Sequence, residues 1–314
     1  MRDDEQLDMQ TTTRSTTPQT CWACGKKGAA QIVGDYVRCP FCGHETLRSG
    51  QTQTFMVNDR LSLSDVMRRD GLTKFQLDVV STASPRKHLL IDIGSGSGKF
   101  LFHAKELFSR YAGVEISDAS LRFSVDTLKL NVAENLPEDL DQLSAVTFWH
   151  SLEHIPAEAL DTILAQLAAA ADANTRIIVS VPNALSRQSR WFGRYYAYFD
   201  PPHHLHQFTP ESLDTVFSRH QLRRDAQFVG WSYNGFGWLQ GMLNLVFPIH
   251  NYLYYRLKRG RAVVNSPLTR TALDLANLLI SALFALPALA ASILDSLDAD
   301  RGGVITYVYK LDRP

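Results

Sequence analysis

The sequence predicts an α/β fold: a parallel sheet covered by helices on both faces, with a small N-terminal cysteine module and a helical insertion before the last strand. Three observations carry this. Apolar runs at 88–93, 111–116, 144–149 and 176–181 read as buried strands, and they alternate with helical patterns at 97–109, 118–128 and 157–171. The four cysteines fall into two C-x-x-C pairs. A stretch rich in Leu, Ala and aromatics, 232–301, separates a strand signal at FVGW (228–231) from a last strand at GGVITYVYKL (302–311).

A chain of 314 residues has room for one large domain and one small module. The formal net charge is zero, which argues against a dedicated nucleic-acid binder, where a basic surplus is expected. Residues 1–20 are polar without an apolar core and read as a disordered tail, not an export signal, so a cytoplasmic protein is expected.

Residues 21–48 read as a zinc ribbon. Cys21, Cys24, Cys39 and Cys42 pair as Cys-Trp-Ala-Cys and Cys-Pro-Phe-Cys, each followed by glycine (Gly25, Gly43). Glycine there lets backbone amides turn back toward the thiolates. Four thiolates fill a tetrahedral zinc, so the metal's job is structural. QIVGDYVR (31–38) supplies the hairpin, and His44 is expected as a solvent-exposed turn residue. A polar connector follows at 49–85, with a helix expected over 61–82.

The first sheet strand runs into LIDIGSGSGKF (90–100). A P-loop requires G-x-x-x-x-G-K-[ST], which Ile93 and Phe100 break. A dinucleotide loop requires G-x-G-x-x-G, and its third glycine would fall on Lys99 or Leu101. What remains is Asp92-x-Gly94-x-Gly96-x-Gly98. Lys99 is expected on the exposed face of the next helix. The second strand, YAGVEIS, delivers Glu115 about 20 residues beyond the loop, where an acid accepts hydrogen bonds from ribose hydroxyls.

This spacing resembles motif I of the class I S-adenosylmethionine-dependent methyltransferases. The resemblance extends over 88–220 and 302–311. FWHSLEHIP (148–156) and FDPPHHLHQFTPESL (199–213) look like segments of the subgroup that methylates small molecules such as quinone precursors and sugars. It implies a Rossmann-like, seven-stranded methyltransferase sheet, with the catalytic domain at 86–231 and 302–314. It implies S-adenosylmethionine as cofactor, held by Asp92, Gly94, Ser95, Gly96, Gly98, Glu115, Ile116 and Trp149. Ala133 and Glu134, within Val132–Asn135, fall near the adenine. The third motif departs from the family here: it is short and lacks its usual Asp.

The sulfonium methyl is already activated, so the enzyme must align the acceptor and remove its proton. Five of the ten histidines fall in the two resembling segments: His150, His154, His203, His204 and His206. His204 takes the family position and is the expected general base for O-methylation, with His150 second. His203 and His206 are expected as ordinary loop residues, His154 as a cap of the LEH turn, and Glu153 as a structural acid at a helix N-terminus.

Residues 226–255 and 275–294 each contain no Asp, Glu, Lys or Arg and are long enough to span a bilayer. Yet the chain must return to the sheet, and crossing would carry the five basic residues of 256–270 to the far side, against the positive-inside tendency. The expectation is therefore an interfacial or re-entrant helical hairpin on an anionic membrane, at the inner face of the plasma membrane. Arg256, Lys258, Arg259 and Arg261 would reach the head groups. The alternative is a helical cap on the domain itself or in a homodimer interface. Either suits a small-molecule or lipid-linked glycan acceptor. An RNA methyltransferase whose ribbon grips nucleic acid and a non-catalytic binding protein are the competing functional readings. Zero net charge and the absence of a base-directed motif after the fourth strand stand against the first, and the intact glycine loop against the second.

Overall fold

The computed structural model describes residues 12–48, 61–201, 203–259 and 266–312. Of the expected tail, residues 1–11 lie outside the described residues, as do 49–60 of the connector and 260–265 of the basic loop. The remainder of the expected tail is a strand, β1 (Thr12–Thr20), paired antiparallel with β2 (Lys27–Val33). Its run of β-branched threonines suits a strand once an edge is on offer. β3 (Tyr36–Arg38) and β4 (Glu45–Leu47) complete the ribbon.

The single helix expected over 61–82 is two, α1 (Leu63–Met67) and α2 (Gly71–Ala83). Asp70 causes the break: its side chain accepts the Thr73 amide at 2.9 Å and starts the second helix. The chain continues through β5 (Leu89–Ile93), α3 (Lys99–Ala104), β6 (Arg110–Val114), α4 (Asp118–Arg122), β7 (Val132–Ala133), β8 (Leu143–Trp149), α5 (Ala157–Ala170) and β9 (Arg176–Pro182). Then come α6 (Arg187–Phe192), β10 (His206–Gln207), α7 (Pro210–Ser218), β11 (Leu222–Phe228), α8 (Trp231–Val246), α9 (Tyr252–Tyr254), α10 (Pro267–Ser296) and β12 (Val304–Leu311). The fifth β-α step differs from expectation: the strand is 222–228, and Trp231 already opens a helix.

The main sheet has seven strands in the order β11-β12-β9-β8-β5-β6-β7. β5 through β9 pair in parallel, and β12 lies antiparallel between β9 and β11. Every residue of β5 is buried. Leu89, Ile91 and Ile93 pack with Leu160, Leu164 and Phe217 of α5 and α7, while Leu90 packs with Phe100 and Leu101 of α3. Strict alternation with both faces covered is why these strands read as continuous apolar runs. Each such side chain contributes about 1.5–3 kcal/mol of burial. The C-terminal ends of β5, β6 and β8 meet where the strand order reverses, which places a crevice there.

β10 pairs antiparallel with β4, so a segment of the large domain becomes the fifth strand of the ribbon's sheet. The two modules share backbone hydrogen bonds and a core: Ala23, Cys39 and Cys42 pack in the same cluster as Leu213 and Phe217.

The insertion divides in two. α8 packs onto α6 closely enough that a Cβ at Gly241 would stand 2.4 Å from the Phe192 ring. α10 lies across α8 with its polarity inverted. Asn277, Ala288, Ser292 and Asp295 face inward, where Asp295 Oδ2 accepts from Trp238 Nε1 at 2.7 Å. Leu275, Leu279, Leu283, Leu286 and Ile293 face outward, with Leu286 76% exposed. α10 is also the one described helix long and apolar enough to cross a membrane, with a mean hydropathy of 2.0.

Candidate active site

β5 ends in a turn built by positive-φ glycines: Gly94 at +71°, Gly96 at +55° and Gly98 at +74°. The three sites differ in surroundings. A Cβ at Gly94 would meet Ser151 Cβ at 2.3 Å, so this glycine lets the loop lie against the end of β8. One at Gly98 would meet Ser124 and Leu130 at 2.8 Å. One at Gly96 would meet nothing within 4 Å, so this position fronts open space. The amides of Gly94 and Ser95 donate to Val114 O at 2.8 and 3.0 Å, which pins the loop over β6.

Glu115, buried at the end of β6, fixes the same loop from the side. Its Oε2 accepts from Gly96 N and its Oε1 from Ser117 N, both at 2.7 Å. A carboxylate has about four acceptor positions, so two stay available. Ile116 beside it is 55% exposed, and Glu115 N donates to Ala133 O at 2.9 Å, bringing exposed Ala133 and Glu134 to the same rim. The sequence-derived set therefore lies together along the ends of β5, β6 and β7. Ser95 is buried beneath the loop. Trp149 packs edge-on to Phe100 at 5.5 Å, and its Nε1 has no hydrogen-bond partner. Asp92 is buried below the glycines and accepts from Thr147 Oγ1 at 2.6 Å. Burial raises its pKa to about 7 against the pull of that bond, with the Glu115 charge adding to the rise.

Lys99 is not on an exposed face. Its ammonium is tied to Asp70 Oδ2 at 2.7 Å and faces Asp65 Oδ2 at 3.5 Å, so it clamps the two connector helices to α3.

The histidines gather beside the loop. His150 ends β8 at φ +54° and stacks on Tyr198 at 5.9 Å. Its Nδ1 lies 3.5 Å from Glu153 Oε1. His154 Nδ1 donates to His203 O at 2.8 Å, and its ring meets that of His204 edge-on at 4.8 Å. Burial, helped by His154, lowers the His204 pKa to about 4. Glu153 is 1% exposed and accepts no backbone amide, so it is not a helix-capping acid. Burial opposes its charge, but the His150 contact and the surrounding rings hold its pKa down at about 2.

Two further expectations are corrected. His206 is buried in β10, stacked on Trp22 at 4.9 Å, and His44 is 1% exposed, packed against the rings of Trp22, His206 and Phe208. Both lie in the seam where the ribbon meets the domain, and nothing in a C-x-x-C pattern signals that seam. The sequence also gives no signal for Ser151, Thr147, Tyr198 or Tyr36. Each matters through a partner far away in the chain.

The cysteine sulfurs of the ribbon stand 3.8 Å (Cys21–Cys42) and 3.7 Å (Cys24–Cys39) apart. Tetrahedral zinc with bonds of about 2.3 Å sets sulfurs about 3.8 Å apart, so the four thiolates fit the ion. Gly25 and Gly43 take the left-handed conformation at +68° and +69°, as the turn toward the thiolates needs. Two surface hollows, one lined by Arg86, Gln142 and Asp172 and one by Asp214, Arg223 and Asp312, lie at the opposite end of the strands from the glycine loop.

Comparison with known proteins adds the following. A family model described as a methyltransferase domain matches residues 68–227. A methyltransferase from Archaeoglobus fulgidus, described as SAM-dependent, is 17% identical, covers 79% of this chain and 96% of its own, and superposes with a TM-score of 0.44. The cyclopropane synthase MmaA2 of Mycobacterium tuberculosis is 11% identical, with 82% and 94% covered and a TM-score of 0.49. The sugar N-methyltransferase KedS8 of a Streptoalloteichus species is 23% identical over 42% of this chain and 58% of its own, with a TM-score of 0.31. No curated protein matches. The family match spans more than half of the chain and contains the glycine loop, Glu115 and the histidine segments. The chain therefore belongs to the methyltransferase-domain family.

Proposed function

We propose that the protein transfers the sulfonium methyl of S-adenosylmethionine to a hydroxyl of an amphiphilic acceptor, a small molecule or lipid-linked glycan, at an anionic membrane surface. In this reading Gly96 gives the ligand backbone access and Glu115 accepts the ribose hydroxyls on its two remaining positions. Asp92 faces the ammonium, Ile116, Ala133 and Glu134 border the adenine, and Trp149 closes the wall. The acceptor oxygen attacks the methyl carbon, the carbon–sulfur bond breaks toward sulfur, and the acceptor proton passes to a histidine. His150 is favoured for that step over His204. It keeps solvent access at the strand end, whereas a buried ring with a pKa near 4 is a weak base at neutral pH.

The observation that carries the acceptor class is the inverted polarity of α10. A helix that turns Asn277, Ser292 and Asp295 inward and leucines outward is patterned for an apolar exterior. Of the basic residues expected at head groups, Arg256 is held by Asp274 at 2.7 Å. The ribbon, fused to the domain through β10, is read as a structural element carrying zinc and not as a nucleic-acid grip. Incubating the protein with methyl-labelled S-adenosylmethionine and a fractionated extract tests this reading. Label in the lipid fraction supports it, and label in RNA or in no fraction overturns it.

A further inference from the structure

The large domain holds a second group of metal-type ligands, apart from the four cysteines. Glu153, His154 and His204 each present one donor atom, all within 4.8 Å of one another. Glu153 and His154 come from the turn after β8, and His204 comes from the segment leading into β10. We propose that these three side chains form a binding site for a divalent cation of borderline softness, such as zinc or cobalt.

Three features support it besides proximity. Glu153 is 1% exposed and neither carboxylate oxygen has a hydrogen-bond partner, with His150 Nδ1 standing 3.5 Å from Oε1. A buried carboxylate in that condition is costly unless a positive charge completes its surroundings. His204 is 8% exposed and its Nδ1 likewise has no partner. His154 is already oriented as a ligand. Its Nδ1 donates to His203 O, which leaves the proton on Nδ1 and turns the Nε2 lone pair outward, the arrangement by which a carbonyl commonly fixes a metal-bound imidazole.

Donors around such an ion stand about 3–3.5 Å apart, so small side-chain rotations close the group. Two imidazoles and one carboxylate suit a borderline ion better than magnesium or calcium, which prefer oxygen donors. Three protein ligands leave open positions, as in reactive sites and unlike the filled cysteine cluster. This site does not depend on the acceptor proposed above, because binding is read without methyl transfer.

Equilibrium dialysis of the full chain against zinc, followed by metal analysis, tests it. The expected result is two equivalents for the wild type and one for Glu153→Gln and for His154→Gln, with second-site affinity weakened at least about tenfold. The retained equivalent in the cysteine cluster reports that a variant is folded. Zinc-edge X-ray absorption on the unaltered two-equivalent protein supplies a readout that needs no variant, and nitrogen or oxygen scattering beside sulfur is expected. One equivalent in the wild type, two in His154→Gln, or sulfur-only scattering overturns the proposal.

Discussion

Tyr36 Oη, in the ribbon hairpin, donates a 3.0 Å hydrogen bond to the backbone carbonyl of His204, 168 positions further along the chain. One residue on, Leu205 O accepts from Leu47 N at 3.0 Å, and Thr209 Oγ1 donates to Cys42 O at 2.8 Å. The ribbon thus holds the histidine segment from outside, and the cysteine cluster holds the ribbon. Stripping zinc with a chelator is expected to raise amide exchange at 204–209 together with exchange in 21–47. Tyr36→Phe is expected to cost about 1–3 kcal/mol through the buried carbonyl left unpaired. Unchanged exchange at 204–209 after metal loss would show that the two modules are independent.

Gly94 and Gly96 should fail in different ways. Gly94→Ala drives a methyl into Ser151 at a positive φ, so the chain is expected to melt markedly lower or not to fold. Gly96→Ala carries only the backbone penalty, about 1–2 kcal/mol, because nothing stands near its Cβ. It is expected to fold yet lose S-adenosylmethionine binding in calorimetry, since the methyl fills the space through which the ligand would approach. Retained binding would move the ligand away from this loop.

Glu115→Gln tests the same loop from the other side. An amide keeps one acceptor oxygen and turns the other into a donor that faces a backbone N–H. Loss of at least about tenfold in cofactor affinity is expected, with a melting shift smaller than that of Gly94→Ala. Affinity equal to wild type would leave Glu115 with only its observed role of holding the amides of Gly96 and Ser117.

Asp92 gives a pH signature. Its folded pKa is raised from 3.8 to about 7, so between those values the native state keeps a proton that the unfolded chain has released. The Asp92 contribution to stability therefore falls as pH climbs from 3.8 to about 7. A cationic ligand needs the carboxylate, so affinity for S-adenosylmethionine is expected to rise up to about tenfold per pH unit below 7 and then level off. Asp92→Asn should flatten both trends. Calorimetry and thermal melts across that range read them out.

The outward leucines of α10 are expected to bring the protein onto anionic phosphatidylglycerol vesicles in flotation. The combined change Leu279→Glu, Leu283→Glu and Leu286→Glu is expected to abolish flotation while leaving the fold intact, since these side chains face outward. A wild type that ignores vesicles and sediments as a dimer would assign this face to a second copy.

How much of this was legible in the sequence depended on how local each signal was. β5, β6, β8 and β9 were readable because both of their faces are buried, which makes them unbroken apolar runs. β11 was misplaced: at the sheet edge it carries three consecutive charged residues, Arg223, Arg224 and Asp225, which interrupt any apolar run, and the more apolar FVGW drew the assignment onto a helix start. The cysteine spacing and the glycine loop are short-range patterns and came through. The histidine environment did not, because burial of His44, His204 and His206 depends on β4 meeting β10, a pairing of two residues across 160 positions. The composition of α10 was visible, but its inverted polarity emerges only once the side facing α8 is known.

The position of β12 also constrains when the protein can finish folding. The chain's last strand is a filling strand between β9 and β11, so its neighbours must wait beside a gap while the 70-residue insertion and the C-terminal segment are synthesised. Ribosome-bound intermediates would expose two unsatisfied strand edges beside a greasy helix. Premature termination between Phe228 and Val304 would leave a product primed for chaperones or for aggregation.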